Sequence, residues 1–397
     1  MRSRQQAAPV ITGGTPGSFP WRVFHERHPL LLRQVADGLP YGPAQRRELE
    51  RLLTESTSGV IEPLEEGARD ATRWVAWGGG EQYGRRWTEA PFLWAESYFY
   101  RRLLSAVGWF GPGPWQGVDP FGPVKAAELA GPAVDAELAA LDELATLPDE
   151  RQDRALLLSS LWGNRADLGF RLTAGPAADA GADAGSPLLG DDSALLLAAL
   201  EQRPPGRLAL VADNAGRELL PDLVLIDRLL HTGRVTAADL HVKPCPYYVS
   251  DATTADAVAA VRRLRDAPGA AGRIGGRLWR ALADGTLRIG THPFFSAPLP
   301  FEAMPDDLRA ALGSAALTVV KGDLNYRRLV GDRHWPVDTP FAALTGWFPG
   351  AVAALRTLKS EVAVGVDPAV AARLDAAEPG WRTSGAHAVI QLGGALG

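Results

Sequence analysis

The sequence predicts an α/β protein in which a mostly parallel, Rossmann-like sheet is covered by helices on both faces and preceded by an all-helical region. Two observations lead to this prediction. From Arg207 onward, short β-rich runs alternate with helical patterns, which is typical of parallel βαβ units. Before about residue 160, the periodic segments have helical spacing and none alternates convincingly like a strand. We therefore expect a three-layer α/β/α sandwich plus N-terminal helices.

The helical prediction for the N-terminal part rests on four segments. In PFLWAESYFYRRLLSAVG, from Pro91 to Gly108, apolar residues recur at helical spacing; the proline suits a first helical turn and the glycine suits a stop. Three further predicted helices run from Ala44 to Leu53, from Val134 to Leu144 and from Ala155 to Trp162. We assign residues 1–170 to an N-terminal helical domain.

A segment of biased composition follows the helical region. The run TAGPAADAGADAGSPLLGDD, Thr173 to Asp192, consists mainly of small and polar residues that bury little surface. We therefore predict a flexible Gly/Ala-rich insert over residues 171–195. A short helix, Ser193 to Glu201, leads into a catalytic α/β/α domain over residues 196–397.

The catalytic domain is predicted from alternating strands and helices. The predicted strands are Leu208 to Ala212, Leu240 to Val242, Leu287 to Gly290, Leu317 to Val320 and Val352 to Leu355. The predicted helices are Glu218 to Leu230, Thr254 to Arg265, Gly276 to Ala283 and Pro305 to Leu312.

Composition and charge exclude several classes of function. The net charge of −5 is small for 397 residues and no block of like charges occurs, so we expect neither nucleic acid nor a membrane surface as a partner. The single cysteine, Cys245, excludes an intrachain disulfide and a thiolate zinc cluster. With no signal-peptide pattern and no apolar run near the roughly 20 residues of a membrane span, we expect a cytoplasmic protein. The sequence does not indicate its oligomeric state.

Polar residues follow one predicted strand after another. Asp213 and Asn214 follow the first strand, and Asp251 follows the second. The later strands are followed by Thr291 and His292, by Lys321 and Asp323, and by Arg356 and Lys359. Because ligands of open α/β sheets bind beyond the carboxyl ends of the strands, we expect these side chains to converge.

Two carboxylates and an amide oxygen at adjacent strand ends suit a hard divalent ion such as Mg²⁺ or Mn²⁺. An isolated Asp-Asn pair after a strand is more often a turn or a helix cap, but the repetition of polar residues at successive strands favours a functional site. Cations are expected at the same opening, namely Lys321, Arg327, Arg328 and Lys359. A metal beside such cations suits a phosphorylated anionic substrate.

Several long motifs, in order, carry a resemblance to a known family. They are SLWGNRADL, DNAGRELLPDLVLIDRLL, HVKPCPYYVSD, KGDLNYRRLVGDRHW and RTLKSE. The chain, from about Trp21 to Gln391, resembles the DUF89 damage-control phosphatases, specifically the acidic-residue-methyltransferase-like subfamily with an Arg-Thr-x-Lys motif.

The resemblance implies a metal site and a substrate site. It implies that Asp213, Asn214 and Asp251 hold a divalent metal (Mn²⁺, Co²⁺, Ni²⁺ or Mg²⁺) and that Glu218 lines the pocket. The substrate-holding residues are then Asp323, Leu324, Asn325, Tyr326, Arg327 and Lys359, together with the strand-end Lys321. Supporting roles are expected for Asn164, Asp167 and Arg356. The substrate is expected to be a small phosphorylated metabolite, typically a sugar phosphate such as fructose 1-phosphate or fructose 6-phosphate.

We therefore expect metal-dependent phosphomonoester hydrolysis with Asp213 and Asp251 as the catalytic residues; the sequence leaves open whether water or an aspartate is the nucleophile. A haloacid-dehalogenase signature is disfavoured, since Ala215 occupies the position of its second aspartate. One alternative is an S-adenosylmethionine-dependent protein carboxyl methyltransferase, but the turn after the first strand carries one glycine, Gly216, instead of a glycine-rich loop. The other alternative is a catalytically idle protein that binds phosphometabolites.

Overall fold

A computed structural model describes residues 8–163, 188–202 and 204–395 of the chain. Its centre is a seven-stranded, mostly parallel sheet with helices on both faces, so the predicted α/β fold is confirmed. Among the helices of these residues, none is both long enough and apolar enough to cross a bilayer.

The sheet has the strand order β1-β7-β6-β5-β2-β3-β4. Strands β2 to β6 are mutually parallel, whereas β7 runs antiparallel to β6 and carries β1 in parallel at the sheet edge. The bounds are Leu188–Asp191 (β1), Gly206–Val211 (β2), Val235–Val242 (β3), Leu287–Thr291 (β4), Leu317–Lys321 (β5), Ala351–Thr357 (β6) and Ala388–Gly394 (β7).

Helices precede the sheet and alternate with its strands. Those before β1 are α1 Phe19–Arg22, α2 His28–Gly38, α3 Pro43–Ser58, α4 Ala71–Trp74, α5 Gly80–Gln82, α6 Phe92–Val107, α7 Gly122–Leu129, α8 Pro132–Leu144 and α9 Asp149–Trp162. Those after β1 are α10 Ser193–Gln202, α11 Leu219–His231, α12 Thr254–Arg265, α13 Gly269–Asp284, α14 Asp306–Gly313, α15 Gly322–Val330, α16 Phe341–Thr345 and α17 Pro368–Ala377. Two π-helical turns, Val23–Arg27 and Val75–Gly79, lie between α1 and α2 and between α4 and α5.

The two faces of the sheet build two separate cores, because successive strand residues point to opposite sides. In β2, Leu208 and Leu210 belong to a core shared with α8 to α13, whereas Ala209 and Val211 belong to a core shared with α14 to α16 and the N-terminal helices. The result is the three-layer sandwich that the alternating pattern predicts.

The helices of the predicted N-terminal domain divide between these two cores. Helix α6 contributes the buried side chains of Trp94, Tyr98 and Phe99 to the core on one face of the sheet. Helices α8 and α9 pack instead on the opposite face, where Leu138 and Leu157 join the core with α11. The described residues 8–163 thus share both of their cores with the sheet.

The predicted insert, residues 171–195, is only partly described, since residues 164–187 lie outside the described ranges. Its final part has regular secondary structure, which the sequence analysis did not predict for residues 188–191. Leu188–Asp191 forms the edge strand β1 beside β7, and α10 begins at Ser193. The Asp191 carboxylate accepts the backbone N–H of Ser193 at 2.9 Å, which fixes the turn between the two elements.

Candidate functional site

The loops that follow β2 and β3 are joined by backbone hydrogen bonds at the carboxyl edge of the sheet. The N–H of Ala252 donates to the carbonyl of Asp213 at 2.8 Å, and the N–H of Ala215 donates to the carbonyl of Ser250 at 2.6 Å. Asn214 and Asp251 pair as an isolated antiparallel bridge between these loops. Backbone hydrogen bonds between the two loops therefore hold Asp213, Asn214 and Asp251 close together.

Asp213 and Asp251 are buried carboxylates in an unfavourable electrostatic environment. Their exposed fractions are 7% and 3%. Burial, followed by repulsion from Asp251 and Glu218, raises the pKa of Asp213 well above its usual range. Burial also raises the pKa of Asp251 to about 6, against the opposing charges of Lys243 and Lys125. Within the described chain, the buried Oδ2 of Asp251 accepts no hydrogen bond.

Asn214 and Glu218 complete the acidic side of the site. The Asn214 Nδ2 donates to Glu218 Oε2 at 2.8 Å and to Asp213 Oδ2 at 3.2 Å, while the Ser250 hydroxyl donates to Asn214 Oδ1 at 2.6 Å. The amide nitrogen, and not the predicted ligand oxygen, therefore faces Asp213. A half-turn of the amide would exchange the two, because they occupy equivalent positions on the side chain.

Two buried lysines that the sequence analysis did not select approach Asp251. Lys243 Nζ lies 3.4 Å from Asp251 Oδ2 and donates to Asn325 Oδ1 at 3.2 Å. Burial lowers the pKa of Lys243, in opposition to the attraction of Asp251. Lys125, on α7, donates to the backbone carbonyl of Asp251 at 2.8 Å. Lys243 is the first residue after β3 and could have been found by the strand-end rule, whereas nothing in the sequence marked Lys125.

Asp323 anchors the segment that contains Lys359. Its Oδ1 accepts hydrogen bonds from Arg356 Nε at 2.8 Å, Lys359 N at 3.1 Å and Ser360 Oγ at 3.1 Å. Burial opposes ionisation of Asp323, but the guanidinium groups of Arg356 and Arg327 outweigh it and lower the pKa. The Lys359 side chain is exposed, forms no ion pair within the described ranges, and lowers the pKa of Asp213 through its charge.

Lys321 and Arg327 do not serve as free cations. The Lys321 ammonium is buried and donates to Asp222 Oδ1 at 2.8 Å and to the backbone carbonyl of Ser160. The buried Arg327 guanidinium is shared between Asp332, at 2.8 and 3.0 Å, and Glu96, at 2.9 Å. Each charge is already paired with buried carboxylates, so the predicted contact with substrate would have to compete with these ion pairs.

The rest of the DLNYR segment supports the site from behind. Asn325 Nδ2 donates to the carbonyls of Ala212 and Lys321, which ties the end of β2 to the start of α15. Leu324 and Tyr326 are core residues, and the Tyr326 hydroxyl donates to Gln391 Oε1 at 2.6 Å. Arg328, also expected at the opening, donates to three backbone carbonyls between two phenylalanine rings. Contact with substrate is therefore not supported for Leu324, Tyr326 or Arg328.

Gly322 allows the close approach of α15 to Asp213. Its φ is +79°, and a Cβ at this position would lie 1.9 Å from Asp213 Oδ2. A side chain would therefore both strain the backbone and collide with the carboxylate. The sequence KGD gave no signal that this glycine belongs to the site.

An aromatic wall forms where Tyr100 of α6 packs against Tyr248 of the loop after β3. The Tyr248 hydroxyl donates to Glu96 Oε2 at 3.2 Å, and its ring stacks on Tyr100 at 4.5 Å. Tyr248 itself has a φ of +51°, a conformation that costs of order 1–3 kcal/mol in a non-glycine residue. Burial raises the pKa of Tyr100, and the charge of Asp251 adds to this effect. The wall was not predicted.

Two predicted supporting residues, Asn164 and Asp167, lie outside the described residues. In the described ranges, His, Cys, Asp and Glu side chains form no group of three or more that is arranged to hold a metal ion. The predicted ligand set contains two such side chains and an amide, Asp213, Asp251 and Asn214.

The chain is similar to proteins of one family over most of its length. The family model described as damage-control phosphatase ARMT1-like domain matches residues 23–374. Damage-control phosphatase ARMT1 from Mus musculus is 31% identical over 96% of this chain and 97% of its own length, and the Danio rerio protein is 32% identical over 95% of each chain. A solved DUF89 family protein from Pyrococcus horikoshii aligns with a TM-score of 0.46 and 13% identity, covering 88% of this chain and 92% of that one.

Proposed function

Because this chain belongs to the damage-control phosphatase ARMT1-like family, we propose that it is a metal-dependent phosphatase of small phosphomonoesters. Sugar phosphates such as fructose 1-phosphate and fructose 6-phosphate are the proposed substrates. Family membership supports phosphatase activity, and the geometry of Asp213 and Asp251 supports the dependence on metal.

One observation carries the metal dependence: two buried carboxylates converge, and the charge of Asp251 disfavours ionisation of Asp213. Repulsion from Asp251 is, after burial, the largest cause of the raised pKa of Asp213. The buried Oδ2 of Asp251 accepts no hydrogen bond among the described residues and forms only a 3.4 Å ion pair with Lys243, so its burial is incompletely compensated. A cation between the carboxylates would remove both costs.

The residues fit a hard divalent ion. Asp213 and Asp251 would hold it through carboxylate oxygens, joined by Asn214 through its amide oxygen after the half-turn described above. When bound, such an ion supplies Lewis-acid polarisation of a phosphoryl oxygen. Mn²⁺, Co²⁺, Ni²⁺ and Mg²⁺ all accept such ligands, so the ion used is left to the assay.

The remaining groups suit a phosphorylated substrate. Lys359 presents an exposed ammonium close enough to Asp213 to lower the pKa of that carboxyl, and it can contact a phosphate without breaking an ion pair of the described chain. Lys243 holds Asp251 in place while offsetting part of its charge. Asp323 fixes the backbone of Lys359. The site therefore combines carboxylates that can bind a metal, Asp213 and Asp251, with an exposed ammonium, Lys359, that can contact the phosphate, as phosphoryl transfer requires.

The proposal is tested by phosphate release from the two fructose phosphates and from p-nitrophenyl phosphate, each with one of the four ions or with EDTA. We expect activity only with a metal, loss on chelation and recovery when metal is restored. Asp251→Ala should lower kcat/KM by a factor on the order of 10²–10³. Asp284→Ala, which removes an exposed carboxylate on α13, is the control and should leave kcat/KM unchanged.

Phosphate release that survives chelation, or that persists in Asp251→Ala, would contradict metal-dependent hydrolysis. Incubation with S-adenosylmethionine distinguishes the alternative reaction. Methylated protein together with no phosphate release from any ester would favour methyl transfer instead.

A further inference from the structure

A cavity borders the loop that carries Asp251, on the segment Pro244–Tyr247. Its volume is about 270 Å³, and it is bounded by the π-helical turn after α4, by the end of α6 and by the segment Pro244–Tyr247. None of the residues proposed to hold metal or substrate lines it. The cavity therefore requires its own explanation.

The walls of this cavity are flat and apolar. Five aromatic residues line it, and three prolines lie among them. Trp77 meets Trp74 edge to face at 5.4 Å, and Trp109 meets Phe110 edge to face at 4.7 Å. These rings present apolar surface to the cavity, which suits an aromatic guest.

The charge at the mouth of the cavity is positive, although the chain as a whole carries −5. Arg69 and Arg73 are exposed, and neither forms an ion pair with a carboxylate of the described residues. Among the described lining residues, the one carboxylate is Asp70, and Arg101 neutralises it through hydrogen bonds of 2.7 and 2.6 Å. Two guanidinium groups thus remain for an anion.

A buried donor on one of the lining residues also lacks a partner among the described residues. The indole Nε1 of Trp109 is shielded from solvent and donates no hydrogen bond to any described residue. A buried donor without an acceptor costs about 1–3 kcal/mol in folded proteins. A ligand with an acceptor on or beside its ring would recover that cost.

We propose that this cavity binds a flat aromatic carboxylate. The ring system lies between the tryptophan and proline walls, the carboxylate pairs with Arg69 and Arg73 at the mouth, and Trp109 donates to an acceptor of the ligand. This site is separate from the proposed metal site and does not depend on phosphatase activity.

The test is calorimetric titration of the full-length protein with 1-naphthoate as the probe and 1-naphthylmethanol as its neutral counterpart. All titrations contain Mn²⁺ and an excess of inorganic phosphate, the expected occupant of the metal site. We expect one naphthoate per chain and at least tenfold weaker binding of the alcohol. The double variant Arg69→Ala/Arg73→Ala should lose about tenfold in naphthoate affinity, as two partly exposed charge pairs suggest, and should bind the alcohol like the unmodified protein.

Two further variants keep the result interpretable. Arg47→Ala removes an exposed arginine of α3 and should bind naphthoate normally. Trp109→Phe keeps a ring but removes the N–H, and should weaken binding severalfold. No naphthoate binding at millimolar concentration, equal affinity for acid and alcohol, or full affinity in the double variant would each overturn the proposal.

Discussion

The charge of Asp251 should destabilise the metal-free protein, and Asp251→Asn should therefore stabilise it. The pKa of this carboxyl rises from 3.8 to about 6 on folding. Each pKa unit corresponds to about 1.4 kcal/mol, so ionising Asp251 in the fold costs about 3 kcal/mol above pH 6. Asparagine has the shape of the carboxyl group without its charge. Removal of the charge also relieves Asp213, which acts in the same direction.

The sign of the pH dependence follows from proton binding. Because the folded pKa is the higher one, the folded state binds the proton more tightly, and stability falls as pH rises from about 4 to about 6. Urea unfolding in EDTA should show Asp251→Asn more stable by about 3 kcal/mol at pH 8, and by less than about 1 kcal/mol at pH 4. A divalent metal should reverse the order at about one thousand times its Kd, where it stabilises the unmodified protein by about 4.1 kcal/mol.

Asp323→Asn is the control of opposite sign. The pKa of Asp323 is lowered on folding, so its charge stabilises the protein above the unfolded pKa, and the variant should be less stable at pH 8. A difference between Asp251→Asn and the unmodified protein that does not change with pH would refute the electrostatic reasoning. So would a metal that stabilises both proteins equally.

The remaining predictions concern α15 and the cations. Gly322→Ala should abolish phosphatase activity and destabilise the protein by more than about 1 kcal/mol, because the added Cβ would collide with Asp213. The control is Gly285→Ala, at φ +82° with open space around it. This variant should keep full activity and lose only about 1 kcal/mol of stability to backbone strain. Lys359→Met should lower kcat/KM about ten- to a hundredfold with an unchanged melting temperature, because the side chain is exposed; unchanged kinetics would remove it from the site. Lys321→Met should instead destabilise the fold by about 3–5 kcal/mol in urea unfolding, because it leaves the buried Asp222 carboxylate unpaired. A stable variant with impaired substrate binding would contradict this structural role and support the predicted contact of Lys321 with substrate.

The strands and helices that the sequence predicted well are those with strong local signals. Helix α12 matches its prediction, Thr254 to Arg265, residue for residue, because a capping box at Thr253 and Asp256 starts it. Helix α13 begins at Gly269, seven residues earlier than predicted. The prediction missed this first part because its glycines have low helix propensity. Gly275 is needed there, because a Cβ would lie 2.2 Å from the backbone of α12.

The strands that were missed depend on their neighbours. Strand β1 lies in a segment whose small residues give no strand signal, and it exists because β7 offers an edge to pair with. Strand β7 ends in two glycines and is held by β6 along its whole length. Such pairings are set by tertiary context, which a local pattern does not contain.

By itself, the sequence determined the alternation that makes a parallel sheet and the placement of Asp213, Asn214 and Asp251 at the ends of consecutive predicted strands, because strand ends and side-chain period follow from local residues. Tertiary structure decided which charges remain available there. Lys321 and Arg327 look like Lys359 in the sequence, but they are neutralised by Asp222 and by Glu96 with Asp332, residues far away along the chain or on another turn. Ion pairing depends on distance in space, and only the folded chain fixes it.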